Sequence, residues 1–270
     1  MKEVRYMHIQ YKLDLKKMSG MQTKIIEIKD KQAKILKLDN PEVQHIIMKF
    51  QENQDTSMGL FITFHFYSED LTLENAKAIS APLLNNIINL LVYKLLVSIS
   101  DPKINAYDTV DGSMHASGSI TLYNLEHYEL PEIDYSWLEN NIDSSNLSEI
   151  LQTSGRFQMY KSILLVENVT SRFLLLYSLL YEMKKNQNGI DRYIMRKEPK
   201  VKMIKSKNKN KKGSNLETAY TWWRNQSQHM QKDTSINEIT QNYSQLIDGL
   251  QLIVFQAILG SLQLPYNNSR

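Results

Sequence analysis

The chain has no cysteine. Disulfides, thiolate-bound zinc and cysteine nucleophiles are thereby excluded together, and the composition fits a reducing compartment. Long apolar runs are missing as well. The strongest, Ile87 to Ile99, is interrupted by Lys94 and falls short of the ~20 residues that a membrane-spanning helix needs. The first residues, Met1-Lys-Glu-Val-Arg-Tyr-Met-His8, alternate charged and apolar side chains, unlike a secretion signal. Together these absences lead us to expect a soluble, cytoplasmic protein with no membrane partner. There is no P-loop and no Gly-x-Gly-x-x-Gly, which argues against the common nucleotide-binding enzymes. His8, His45, His65, His115 and His127 show no metal-ligand spacing, so neither a metal nor a cofactor is expected. Ser113 and His115 lie close to Asp108 and Asp111, but nothing marks a nucleophile elbow there.

What is present suffices for a folded protein. Hydrophobic residues make up 42% of the 270, enough to bury a core in one large or two modest domains. The net charge of +3 conceals an asymmetry. Residues 196–212 hold nine Lys or Arg against one Glu, a net +8, so the remaining residues sum to −5. The basic character is local.

Residues 1–150 read as a mixed α+β domain. Lys24-Ile-Ile-Glu-Ile-Lys and Ala33-Lys-Ile-Leu-Lys-Leu, separated by Asp30-Lys-Gln, suggest a hairpin. Gly59 to Tyr67 is β-branched and aromatic, a strand signature, and Gly118 to Tyr123 repeats it. Between them, apolar residues recur at helical spacing from about Leu73 to Ser98, with Pro82 expected to kink or split the helix. The polar stretch 139–156 marks a boundary.

Residues 151–270 read as an all-α helical bundle. One long helix is expected over Phe157–Met183, stopped by the segment from Lys184 to Gly189. The basic loop 196–212 follows, then a helix from Leu216 to about Gln226. Ser235-Ile-Asn-Glu238 forms a capping box for a final helix to about Gly260. That helix is apolar round much of its circumference, so it is central to the bundle or shared with a second subunit.

The stretch Glu217-Thr-Ala-Tyr-Thr-Trp-Trp-Arg224-Asn225-Gln-Ser-Gln-His229 carries chemistry. An Arg-x(4)-His spacing arises by chance, so its context decides. Residues five apart on a helix point about 140° apart. Arg224 and His229 therefore converge only if the helix ends between them, which the poor helix formers 225–228 favour. Glu217, two turns earlier on the same helix face, is either a partner for Arg224 or a solvated acid. Arginine binds phosphate bidentately and stays charged, and histidine moves protons near neutral pH. Lys205, Lys207, Lys209, Lys211 and Lys212 are candidates for gripping an RNA backbone, or else belong to a solvated loop. Of Trp222 and Trp223, at least one belongs to the core or an interface, because neighbours on a helix diverge by about 100°.

These residues, with the helix Ser162–Met183 carrying Glu167 and Arg172-Phe173, then Gly189-Ile-Asp-Arg192, and the long apolar helix at the end, resemble the HEPN superfamily over roughly 157–262. Its hallmark is Arg-x(4–6)-His with Asn, Asp or His directly after the Arg. Arg224, Asn225 and His229 match it, while Trp223 departs from the usual aliphatic residue before the Arg. The resemblance implies a metal-independent RNA endonuclease that acts as a homodimer, with Arg224, His229 and Asn225 of two subunits facing each other and Glu217 in support. It also implies a setting in phage defence, toxin–antitoxin or stress systems, with an antitoxin or a trigger molecule acting on the N-terminal domain. The alternative is a HEPN-like module that dimerises and binds RNA or protein without cutting.

Overall fold

The computed structural model of the chain describes residues 7–16, 33–52, 58–68, 71–108, 114–116, 135–142, 146–206, 216–228 and 235–262. The chain divides into two compact units, with the described residues up to Thr153 in the first and those from Ser154 onward in the second.

The first unit is built on alternation. In β1 (His8–Lys16) Ile9, Tyr11 and Leu13 are buried, while His8, Gln10 and Lys12 lie on the other face and are half-exposed. Next come β2 (Lys34–Leu36), β3 (Val43–Glu52) and β4 (Met58–Phe66), followed by α1 (Leu73–Leu95), β5 (Ser98–Ile99), β6 (Lys103–Asp108) and β7 (Met114–Ala116). Two short helices, α2 (Tyr135–Ile142) and α3 (Asn146–Thr153), complete the unit. The sheet is antiparallel, in the order β2-β3-β4-β1-β6-β7 with β5 beside the far end of β1. Ile46, Met48, Leu60, Ile62, Phe64, Ile9 and Leu13 form its buried face. The helix α1 contacts that sheet and is tied to it where Tyr11 Oη meets Ser80 Oγ at 2.8 Å.

Pro82 does not split α1. Proline removes the N–H that would bond the carbonyl of Ala78, but both residues are exposed, so water can take that carbonyl. The helix stops at Leu95 because Leu96 turns left-handed, with φ 55°. Ser98 and Ile99 then join the sheet rather than the helix. Of the described helices, α1 alone is long and apolar enough to cross a membrane. The strand read at Gly59–Tyr67 is β4. The second arm of the expected hairpin is β2, which pairs with β3; the first arm and the strand at 118–123 lie outside the described residues.

The second unit comprises α4 (Gly155–Leu164), α5 (Val169–Lys184), α6 (Gln187–Lys197), β8 (Met203–Lys205), β9 (Leu216–Thr218), α7 (Ala219–Gln228) and α8 (Ile236–Leu259). The long helix read over 157–183 is two helices. Asn168 accepts a hydrogen bond from the Ser171 N–H at 2.8 Å and starts α5 afresh, a local side-chain bond that competes with helix continuation. Gly189 is not a helix stop either. Lys185 is the left-handed cap, with φ 64°, and Gly189 lies in the first turn of α6. A Cβ at 189 would sit 2.9 Å from the Lys184 carbonyl oxygen, which explains the glycine. The capping box behaves as read, Ser235 Oγ accepting from Glu238 N–H at 3.1 Å.

Most of the apolar circumference of α8 is buried within its own unit, although Ile236 in its first turn is exposed. Tyr243, Ile247, Leu250, Val254 and Ile258 are all fully buried, and α8 packs on α5, α7 and α4. Its central place in the bundle accounts for these buried positions. One residue violates that environment. Gln251 is fully buried, and among the described residues neither its Nε2 nor its Oε1 has a partner. A buried amide left unsatisfied costs about 1–3 kcal/mol. Gln251→Met should therefore raise the melting temperature of the second unit by several degrees in scanning calorimetry. A lowered melting temperature would show that the amide holds a partner such as buried water.

Candidate active site

Four segments of the second unit converge on the residues before His229. The strands β8 and β9 form a short antiparallel ribbon that pairs Ile204 with Glu217. Buried Asp191 on α6 anchors its end, Oδ1 accepting from Thr218 N–H at 3.1 Å and from Thr218 Oγ1 at 2.7 Å. Thr218 Oγ1 lies 3.4 Å from the Thr221 N–H, the arrangement of a helix N-cap. Thr221 Oγ1 in turn meets Tyr177 Oη of α5 at 2.8 Å. Burial pushes the Tyr177 hydroxyl well above the usual phenol range, so it remains a neutral hydrogen-bonding group.

One turn further along α7 lies Arg224. Its guanidinium carbon stands 5.4 Å from the centre of the Tyr177 ring, within cation–π range. Its Nη1 donates to Asn225 Oδ1 at 3.2 Å, and Asn225 Nδ2 donates to Glu217 Oε2 at 3.3 Å. The other carboxylate oxygen, Oε1, accepts from Ser206 Oγ at 2.7 Å and Gln187 Nε2 at 3.4 Å. Arg224 is thus held from one side by an aromatic face and from the other by an asparagine that a buried carboxylate fixes. Behind it, Ser227 Oγ donates to the Arg224 carbonyl at 2.8 Å, and Tyr243 Oη lies 2.6 Å from Ser227 Oγ and 3.2 Å from the Trp223 carbonyl. Tyr243 itself stacks on Phe173 with ring centres 3.9 Å apart.

Two sequence readings need correction. Glu217 is not on the helix of Arg224 but in β9, so helical periodicity does not relate them. Nor is it solvated: it is 3% exposed. Its partner is Asn225, which lies between it and Arg224. The ribbon, rather than a shared helix face, brings carboxylate and asparagine together. The helix begins at Ala219 and is described to Gln228, two residues beyond the expected end. His229 follows directly and lies outside the described residues. Lys205 is exposed at the end of β8, while Lys207, Lys209, Lys211 and Lys212 lie outside the described residues. Trp223 is buried, and Trp222 packs edge-on against it, half-exposed. Tyr220 donates to Glu198 Oε2 at 2.6 Å and crosses α8 at Gly249, where any Cβ would fall 2.1 Å from its hydroxyl.

The sequence reading missed one constellation in the first unit. His45, His65 and His8 stand in register on β3, β4 and β1. Their rings stack at 4.3 and 5.7 Å, and His8 Nδ1 meets Asp108 Oδ2 at 2.5 Å. Asp108 thus pairs with a histidine, and His115 stacks on Tyr107. Period-2 alternation would have placed His8 on the face opposite Ile9; pairing it with His65 required the register. Among the described residues no group of His, Asp or Glu is arranged to hold a metal ion.

Burial, reinforced by neighbouring His45 and His8, lowers the His65 pKa from 6.5 to about 4. The folded imidazole refuses a proton that the unfolded one accepts. Stability from this group is complete above pH 6.5 and is lost as the pH falls toward 4. In calorimetric scans of the whole chain between these limits, His65→Gln should flatten the acid-side decline of the first unit's melting temperature. An unchanged slope would mean that His65 titrates normally.

No family model matches the chain, and no curated protein or solved structure matches it.

Proposed function

We propose that the chain is a HEPN-type RNA endonuclease, independent of metal, whose active site is completed by a second copy of itself. The observation that carries this reading is the Tyr177–Arg224–Asn225–Glu217 arrangement built on α5, α7 and β9, on the helix that His229 follows in sequence. A guanidinium fixed on two sides loses less freedom on meeting a phosphate than a mobile one. Cleavage of RNA by its own 2′-hydroxyl requires a base, an acid and a cation. One His229 takes the 2′-OH proton, and the 2′-oxygen attacks phosphorus. Arg224 neutralises the charge of the phosphorane. The P–O5′ bond then breaks, and the second protomer's His229 gives its proton to the leaving oxygen. The products are a 2′,3′-cyclic phosphate and a 5′-hydroxyl. One histidine cannot serve as base and acid in the same step, so the chemistry calls for a dimer. DNA, which lacks the nucleophile, is not cut.

One observation favours a different class. Asn225 uses its oxygen on Arg224 and its nitrogen on Glu217, which equally suits a structural clamp in a HEPN-like module that binds RNA or a partner without cutting. Incubating the purified chain with RNA in EDTA, beside Arg224→Ala and His229→Ala, separates the two. The setting we propose is cytoplasmic phage defence, a toxin–antitoxin pair or a stress response, with the first unit receiving the antitoxin or trigger.

A further inference from the structure

A second cationic feature of the helical unit lies outside the residues just described. Tyr193 of α6 is surrounded by three cations: Lys184 Nζ is 3.9 Å from the ring centre, the Arg196 guanidinium carbon 5.7 Å and Lys197 Nζ 5.8 Å. These groups, with Arg156, line an open hollow of about 500 Å³ that Gln256 of α8 and Ser261 just beyond it also border. A second hollow of about 610 Å³ shares Lys184 and Arg196 and adds Arg192. Five basic side chains thus border two adjoining hollows, of a size that takes small molecules.

Negative charge is scarce around them. Glu182 is bound bidentately by Arg156, at 2.8 and 3.1 Å. Glu198, next to Lys197 in sequence, accepts from Tyr220. Among the described residues, Lys184, Arg196 and Lys197 pair with no carboxylate. Lys184 and the pair Arg196/Lys197 occupy the last turns of α5 and α6, where they complement the helix dipoles. That explains why each end is basic, but not why the ends converge on one ring beside a cavity. Burial, and then the charges of Arg196, Lys197 and Arg156, make Lys184 give up its proton more readily than a free lysine. Like charges crowded this way cost energy that a bound anion would recover.

We infer that this cleft is a binding site for an anion carrying two or more phosphates, either a free oligophosphate or the backbone of single-stranded RNA. Arg192 and Arg196 offer planar guanidinium groups for bidentate contact with phosphate oxygens, and Lys184 and Lys197 offer point charges. None of Glu217, Arg224 and Asn225 lines either hollow, so the inference does not rest on the nuclease reading.

The test is a calorimetric titration of the full chain, at low and moderate salt, with inorganic tripolyphosphate and with a short 2′-O-methyl RNA that cannot be cleaved. Wild type should bind at least one of them, weakening with salt as ion release requires. Lys184→Gln/Arg196→Gln should lose at least tenfold in affinity, and so should Arg196→Gln/Lys197→Gln, whose replaced side chains are exposed and whose melting temperature should stay unchanged. RNA that displaces tripolyphosphate and binds more tightly than it does identifies the RNA backbone as the ligand. Tripolyphosphate binding that RNA does not displace identifies a free oligophosphate. Absence of binding by both probes at low salt, or equal affinity in wild type and the exposed-pair variant, overturns the inference. Because neither probe is cut, loss of cleavage in His229→Ala leaves this result untouched.

Discussion

Arg224→Ala and His229→Ala should each reduce cleavage of RNA in EDTA by about 10²–10⁴-fold, the range associated with a positioned proton-transfer group or a preorganised charge. The two losses have different origins. His229→Ala removes base and acid together, because the substitution enters both protomers. Arg224→Ala leaves the proton donors in place and removes the cation that offsets charge on the phosphorane. Arg224→Lys should recover part of the rate but not all, since an ammonium cannot span two phosphate oxygens or lie flat on the Tyr177 ring. Arg224→Ala should keep the wild-type melting temperature within a few degrees, because Arg224 is only partly buried. Gel analysis of a defined RNA, with chemical identification of the 2′,3′-cyclic ends, provides the measurement. Cleavage that continues in both variants would assign the activity to other residues; wild type that leaves RNA intact in every nucleotide and salt condition would favour the binding module.

Glu217→Ala should cause the largest loss of stability in the second unit, on the order of 3 kcal/mol. The carboxylate is 3% exposed and accepts from Ser206, Gln187 and Asn225. Its removal takes away the acceptor that these three part-buried donors share; each lost bond costs about 1–3 kcal/mol where its donor stays buried, and relaxation toward water recovers part of that. In a unit of this size the melting temperature should fall by roughly ten degrees. Glu217→Gln tests position rather than stability. The amide keeps the volume and one acceptor, but can present an N–H group to Asn225 Nδ2. Asn225 would then turn and release Arg224. A folded Glu217→Gln protein with a lowered kcat and little change in KM is the signature of a residue that acts through Arg224. Thermal denaturation and steady-state kinetics separate the two effects; an alanine variant that melts like wild type would show that the ribbon is held by other contacts.

The reading of the two halves followed from periodicity. β4 was legible because its run of β-branched and aromatic residues is buried on one face, and α8 because its capping serine and apolar spacing are both local. What escaped were features set by a few atoms. Asn168 breaks an otherwise continuous apolar helix through one side-chain bond, and Pro82 is tolerated because its freed carbonyl faces water. β1, with His8-Ile-Gln-Tyr-Lys-Leu-Asp-Leu, alternates perfectly but was not read as a strand. At the candidate site, Arg224 and Asn225 were legible by type and spacing. The role of Glu217 was not, because a two-stranded ribbon of three-residue strands carries almost no periodic signal, and only pairing across a long insertion brings the carboxylate beneath Asn225. The cations around Tyr193 were partly visible as the start of a basic run. Their convergence with Lys184 depends on how α5 and α6 end, which composition does not encode.

The dimer is the claim on which the cleavage chemistry turns. Because the chain contains no cysteine, a single thiol reports on one place. Gln228→Cys puts that thiol at the described end of α7, next to His229. Treatment of the dilute protein with a short bifunctional maleimide should yield a covalent dimer in high yield, as two facing copies of the site require. Protein that stays monomeric on a denaturing gel, while a monofunctional maleimide labels the same thiol to completion, would contradict the composite site.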